Sequence, residues 1–64
     1  MIEFMIEWNL QKVIFKENGI LDIIDIDVEN DKFIYKNLEV DLEQDIEKFL
    51  TQELNKKYIH VENL

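Results

Sequence analysis

The chain has no cysteine, proline, arginine, alanine or serine, one histidine, and a single glycine at position 19. Each absence removes a class of chemistry. Without cysteine there is neither a disulfide nor a thiolate metal site. Without serine or cysteine, His60 has no ordinary nucleophile to activate, and Thr51 falls inside a helical pattern. One glycine excludes a glycine-rich phosphate loop. No apolar run approaches the roughly 20 residues that a membrane-spanning helix needs. No basic leader with a small-residue cleavage site opens the sequence, so a cytoplasmic protein is expected, in the host cytoplasm if the gene is viral.

What remains is 64 residues, 47% hydrophobic, with fifteen acids against seven lysines and a net charge of -8. That length gives one domain, 1–64, near the lower limit for independent folding. Without staples, so short a chain needs a dense core or a partner subunit. The abundance of Ile, Asn, Lys, Asp and Glu follows AT-rich codons, as in a cellular or viral genome of low GC content. The charge disfavours direct contact with nucleic acid or an anionic membrane and favours a protein with a basic surface.

Periodicity gives the fold. Residues 2–8 alternate, with Ile2, Phe4, Ile6 and Trp8 on one side, which suits a strand better than the alternative of a short helix. Asn18-Gly19 between two β-rich runs reads as a type I′ hairpin pairing Glu17 with Ile20, Phe15 with Asp22, Val13 with Ile24 and Lys12 with Asp25. A second hairpin with Asn30-Asp31 at its tip would pair Glu29 with Lys32, Val28 with Phe33, Ile26 with Tyr35 and Asp25 with Lys36. Together these registers place Val13, Phe15, Ile20, Ile24, Ile26, Val28, Phe33 and Tyr35 on a core face. Ile14, Leu21, Ile23, Ile34 and Leu38 fall on the opposite face among charges. From Asp41, a capping residue with Gln44 three positions on, Leu42, Ile46, Phe49, Leu50, Leu54 and Tyr58 form a helical stripe. The tail from Tyr58 either adds an edge strand or lies on the body. The expected architecture is α+β, an antiparallel β-meander of three to four strands packed on one face by a C-terminal amphipathic helix. The second face then needs a cover, and homodimerisation through Ile14, Ile23, Leu38 and Trp8 is expected.

Two acidic stretches bear on chemistry. "ILDIIDIDVEND" fails as a calcium loop, because Asn30 stands where glycine is required and Lys36 where a bidentate glutamate is required. It reads as a half-buried strand in which Asp25 and Glu29 are neutralised by lysines and Asp27 is left open. "LEVDLEQDIE" has no lysine between Asn37 and Glu47 and forms a compact anionic patch. Glu39, Glu43, Asp45 and Glu47, with Asp27, are therefore the candidate partner-binding residues. No catalytic, cofactor or metal site is expected, and the chain is read as a non-enzyme.

In overall character, small, acidic and free of catalytic groups, the chain is similar to uracil-DNA glycosylase inhibitors, DNA-mimic antirestriction proteins and small anti-CRISPR proteins. The likeness is one of type and carries no residue over. It implies an acidic inhibitor that occupies a basic, nucleic-acid-binding protein surface, with carboxylates standing in for phosphates. The alternative is a structural or regulatory interaction module that binds through an apolar sheet face and is acidic for solubility.

Overall fold

The computed structural model describes residues 1–64. Six strands form one mixed sheet: β1 (Ile2–Glu7), β2 (Lys12–Glu17), β3 (Ile20–Asp27), β4 (Lys32–Tyr35), β5 (Leu38–Asp41) and β6 (Tyr58–His60), with one helix, α1 (Ile46–Leu54), between the last two. The order across the sheet is β5-β4-β3-β2-β1-β6. The first five strands are an antiparallel meander, and β6 joins the far edge parallel to β1, Ile2 beside Tyr58 and Phe4 beside His60. The helix therefore carries the chain from one edge of the sheet to the other.

The sheet curls into a half-barrel around an aromatic core. Strands β4 and β6 are four places apart, about 19 Å in a flat sheet, yet the Tyr35 and Tyr58 hydroxyls meet at 3.1 Å across the concave face. Phe15 stacks on Tyr35 at 3.8 Å between ring centroids, and Phe4 lies 5.5 Å from Phe15. Ile2, Val13, Ile26, Phe33, Val40, Ile46 and Leu50 complete the buried set. Each such side chain contributes about 1.5–3 kcal/mol by leaving water, which is how so short a chain without cross-links acquires a core.

The Asn18-Gly19 hairpin has the expected register throughout, with both residues at positive φ, 51° and 77°. The second hairpin is corrected. Ile26 pairs with Phe33 and Asp27 with Lys32, a slip of two residues from the expected register. The loop is Val28–Asp31, and Asp31 (φ 55°) takes the left-handed position that closes it. The Asp27 carboxylate selects this loop by accepting both the backbone and the side-chain N–H of Asn30, at 3.2 and 2.9 Å. An even slip keeps every side chain on its face, so the core survives, but Val28 moves into the loop and is 56% exposed.

The meander is also longer than three to four strands. Lys36 and Asn37, at φ 49° and 66°, form a second two-residue turn that pairs Tyr35 with Leu38 and creates β5. Residue pairs opposite one another share a face, so Leu38 packs against the core and is not on the outer face as expected. Helix α1 consequently starts late. Its N-cap is Asp45, whose carboxylate accepts the Lys48 N–H at 3.1 Å, while Asp41 ends β5 and accepts the Glu43 N–H at 2.9 Å. The helix is followed by Asn55 in the left-handed conformation and then by β6, so it is not the C-terminal element. Nine helical residues span about 13 Å and cannot cover all of β3, which leaves Ile20 72% exposed at the hairpin end. No helix is long and apolar enough to cross a membrane.

Candidate functional site: an acidic end of the half-barrel

In a meander every second turn lies at the same end. The β1–β2 loop, the β3–β4 loop and the β5–α1 connection therefore gather at one end. Backbone bonds join them there, with the Ile26 N–H donating to the Gln11 carbonyl at 3.0 Å and the Leu42 N–H to the Asp31 carbonyl at 3.0 Å. The segments concerned, 7–12, 25–32 and 41–48, hold nine of the fifteen acids and three of the seven lysines. At the opposite end, segments 16–22, 35–39 and 53–58 hold four acids and four lysines. Glu3 and Glu62 are the other two acids. Six of the eight net negative charges are thus displayed at one end and none at the other.

Local backbone chemistry explains why most of these acids are there. The loops Trp8–Gln11 and Val28–Asp31 are built alike: four residues, the last at positive φ, and an acid just before the loop capping a free N–H. Glu7 accepts from Asn9 at 3.0 Å as Asp27 does from Asn30. Asp41 and Asp45 cap the two turns that lead into the helix, and Glu47 accepts the His60 N–H at 2.8 Å, fastening α1 to β6. Asp25 is ion-paired with Lys12. Glu29, Asp31 and Glu43 alone among the nine make no side-chain hydrogen bond or ion pair. A carboxylate that accepts one backbone N–H keeps its charge and a free oxygen, so capping and display of charge are compatible. Asp27, with one oxygen on the Asn30 backbone N–H and the other on its side chain, also keeps its charge: these hydrogen bonds, aided by Lys32, hold its carboxyl below the usual value of 3.8. Its contribution to stability is therefore present above that value and lost as pH falls through the lowered one.

Of the five expected partner-binding acids, the fold brings together Asp27, Glu43, Asp45 and Glu47. It leaves out Glu39, which lies on the convex face 2.8 Å from the Lys32 ammonium. Glu29 was expected to face Lys32 and Asp25 to lie between two lysines. Instead Glu29 is free in its loop, Asp27 faces Lys32, and Lys36 sits over the Tyr35 ring at 5.4 Å. Glu29 and Asp31 could have been found from the sequence only with the alternation of turns in hand.

Trp8, expected beside Ile14 and Ile23 at a dimer interface, lies outside the strands, in the first loop of the acidic end, 61% exposed. Exposed Leu10 and Val28 occupy the loops of the same end. Beside Trp8 is a groove of about 380 Å³ lined by Ile6, Trp8, Leu42, Gln44, Asp45, Ile46, Glu47 and His60. The His60 ring stacks on Phe4 with centroids 4.9 Å apart. The convex face does carry Ile14 and Ile23, in a cross-strand row with Met5, and Ile23 is 58% exposed. Lysines flank this row between acids: Lys12 lies between Glu7 and Asp25, and Lys32 between Asp27 and Asp41.

No family model, curated protein or solved structure matches this chain.

Proposed function

We propose that this protein is a small, non-enzymatic acidic inhibitor, of viral or mobile-element origin and acting in the cytoplasm, that docks its acidic end onto a basic protein surface of the kind that otherwise receives nucleic acid. The observation that carries the reading is the separation of charge. Turn capping places Glu7, Asp27, Asp41 and Asp45 at that end, but Glu29, Asp31 and Glu43 lie there with no capping role, and a polarised end steers a basic partner into one orientation. Exposed Trp8, Leu10 and Val28 at that end supply apolar area within the carboxylates, and aromatic residues are frequent anchors of interfaces. The test is capture of partners on the immobilised protein, followed by elution. The reading expects partners released by moderate salt and displaced by added nucleic acid. Partners that resist both and are lost on Ile23→Asp would overturn it.

A second reading has its own observation. The Met5–Ile14–Ile23 row lies on the convex face with no element over it, and a second copy of the chain is the proposed cover. Light scattering at micromolar concentration decides this reading: about twice 7.8 kDa is expected, reverting to the single mass on Ile23→Asp.

A further inference from the structure

Three cavities indent the surface, and their charges differ. The largest, about 580 Å³ along the helix, is lined by Lys48, Lys56 and Lys57 as well as by acids. The second, about 400 Å³ at the balanced end, contains Lys36 beside Glu17 and Asp22. Glu17 is further occupied by Lys56 at 3.6 Å. The groove beside Trp8 has acids and no lysine. Its apolar residues come from β1, the first loop, the β5–α1 connection and the start of the helix, so four separate segments shape it. Its two carboxylates are fixed, Asp45 by the Lys48 N–H and Glu47 by the His60 N–H, and each has its other oxygen unengaged.

We infer that this groove is the anchor for one arginine side chain of the basic partner, an inference that rests on the acidic-end reading above. The chemistry is that of a guanidinium site. An aliphatic stem is accommodated by Ile6, Leu42 and Ile46, and the planar cation lies against the indole. The N–H fork of the guanidinium meets the free oxygens of Asp45 and Glu47. Lysine fits less well, because its ammonium is a compact, strongly hydrated point charge that neither stacks nor forks. The groove thereby adds residue selectivity to an attraction that charge alone would extend to any cation.

Trp8 is the only tryptophan, so its fluorescence reports the groove directly. Hexa-arginine and hexa-lysine peptides, equal in charge, are titrated into the protein at low salt. A saturable change in Trp8 emission is expected, reached at about fivefold lower hexa-arginine than hexa-lysine, the size of one cation–π contact. In Trp8→Ala, followed by calorimetry, the preference for hexa-arginine should disappear while hexa-lysine binding changes by less than about twofold. Gln44→Lys, which puts a cation at the groove without touching the sheet, should abolish the preference as well. Equal, salt-sensitive binding of both peptides, unaltered by either substitution, overturns the arginine site and leaves the acidic-end reading standing. Failure of both peptides to bind at low salt overturns the two together.

Discussion

The two ends of the half-barrel are closed by different turns, and the difference accounts for most of the charge polarity. At the balanced end two connections are the two-residue turns Asn18-Gly19 and Lys36-Asn37, whose flanking residues are already in the strand ladder, and the third follows the C-terminus of α1, which leaves carbonyls and not N–H groups free. Such turns leave few backbone donors free and need no carboxylate. At the acidic end the connections are four-residue loops and a helix start, which leave N–H groups unpaired. Glu7, Asp27, Asp41 and Asp45 satisfy them. Much of the acidic end is thus a by-product of turn chemistry. Glu29, Asp31 and Glu43 are not needed for it, and they are the acids that require another explanation.

The balanced end is held by burial. Tyr35 and Tyr58, both at that end of their strands, share a hydrogen bond inside the core. Burial first, then the Tyr58 hydroxyl, pushes the Tyr35 phenol well above its usual 10.0. The folded protein then keeps a proton that the unfolded chain releases, so this stability is intact below about pH 10 and is lost as pH rises further. Tyr35→Phe leaves the Tyr58 hydroxyl unpaired and should cost about 1–3 kcal/mol. It should also flatten the alkaline limb of a denaturation-versus-pH series. An unchanged limb would place the coupling elsewhere, for instance at Lys32, which Glu39 and Asp27 raise from the exposed face and which acts with the same sign.

Two triple substitutions with the same change in net charge separate display from bulk charge. Glu29→Gln, Asp31→Asn and Glu43→Gln together should weaken hexa-arginine binding at low salt by about tenfold, near 1.4 kcal/mol. Glu17→Gln, Asp22→Asn and Glu53→Gln should weaken it by less than about twofold, because those charges lie further away and salt screens them. Equal losses would show that only total charge matters.

The caps can be ranked in the same way. Asp45→Ala should cost about 1 kcal/mol as the loss of a helix N-cap, lowering the melting temperature by roughly 4–8 °C for a domain of this size. Asp41→Ala, which loses only an exposed turn contact, should stay within about 0.5 kcal/mol. A reversed order would restore the helix start expected from the sequence.

What was legible in the sequence follows a physical line. Asn18-Gly19 was readable because only such residues suit two adjacent left-handed positions. The alternation of Ile2, Phe4, Val13, Phe15 and Ile26 was readable because burial enforces period two. Illegible was the choice between competitors of similar local merit. Asp41 and Asp45 both cap well, and the decision lay with Val40, which the core needs in a strand. Asn30-Asp31 resembled a two-residue tip, and the decision lay with the Asp27 carboxylate. The candidate site was half legible: Asp27, Glu43, Asp45 and Glu47 were named, but the pole they form with Glu29, Asp31 and Trp8 depends on which ends the turns share. That is topology and not periodicity.

The two turns of the balanced end do the same work with unequal residues. Lys36 occupies at φ 49° the left-handed position that Asn18 fills at 51°, and Asn37 at 66° the one that Gly19 fills at 77°. Lysine has no side-chain means of favouring that conformation, and a Cβ there costs about 1 kcal/mol relative to an achiral residue. Against this, the Lys36 ammonium over the Tyr35 ring at 5.4 Å returns about 0.5 kcal/mol at an exposed site. Replacing Lys36-Asn37 by Asn-Gly removes that cost at position 37, where glycine has no Cβ, and loses the cation–aromatic contact, so the net stabilisation should be about 0.5 kcal/mol. A urea denaturation midpoint resolves that size of change if the slope is unaltered. Destabilisation would mean that the cation–aromatic contact outweighs backbone strain, and that β5 is held to the sheet by Lys36 more than by the shape of its turn.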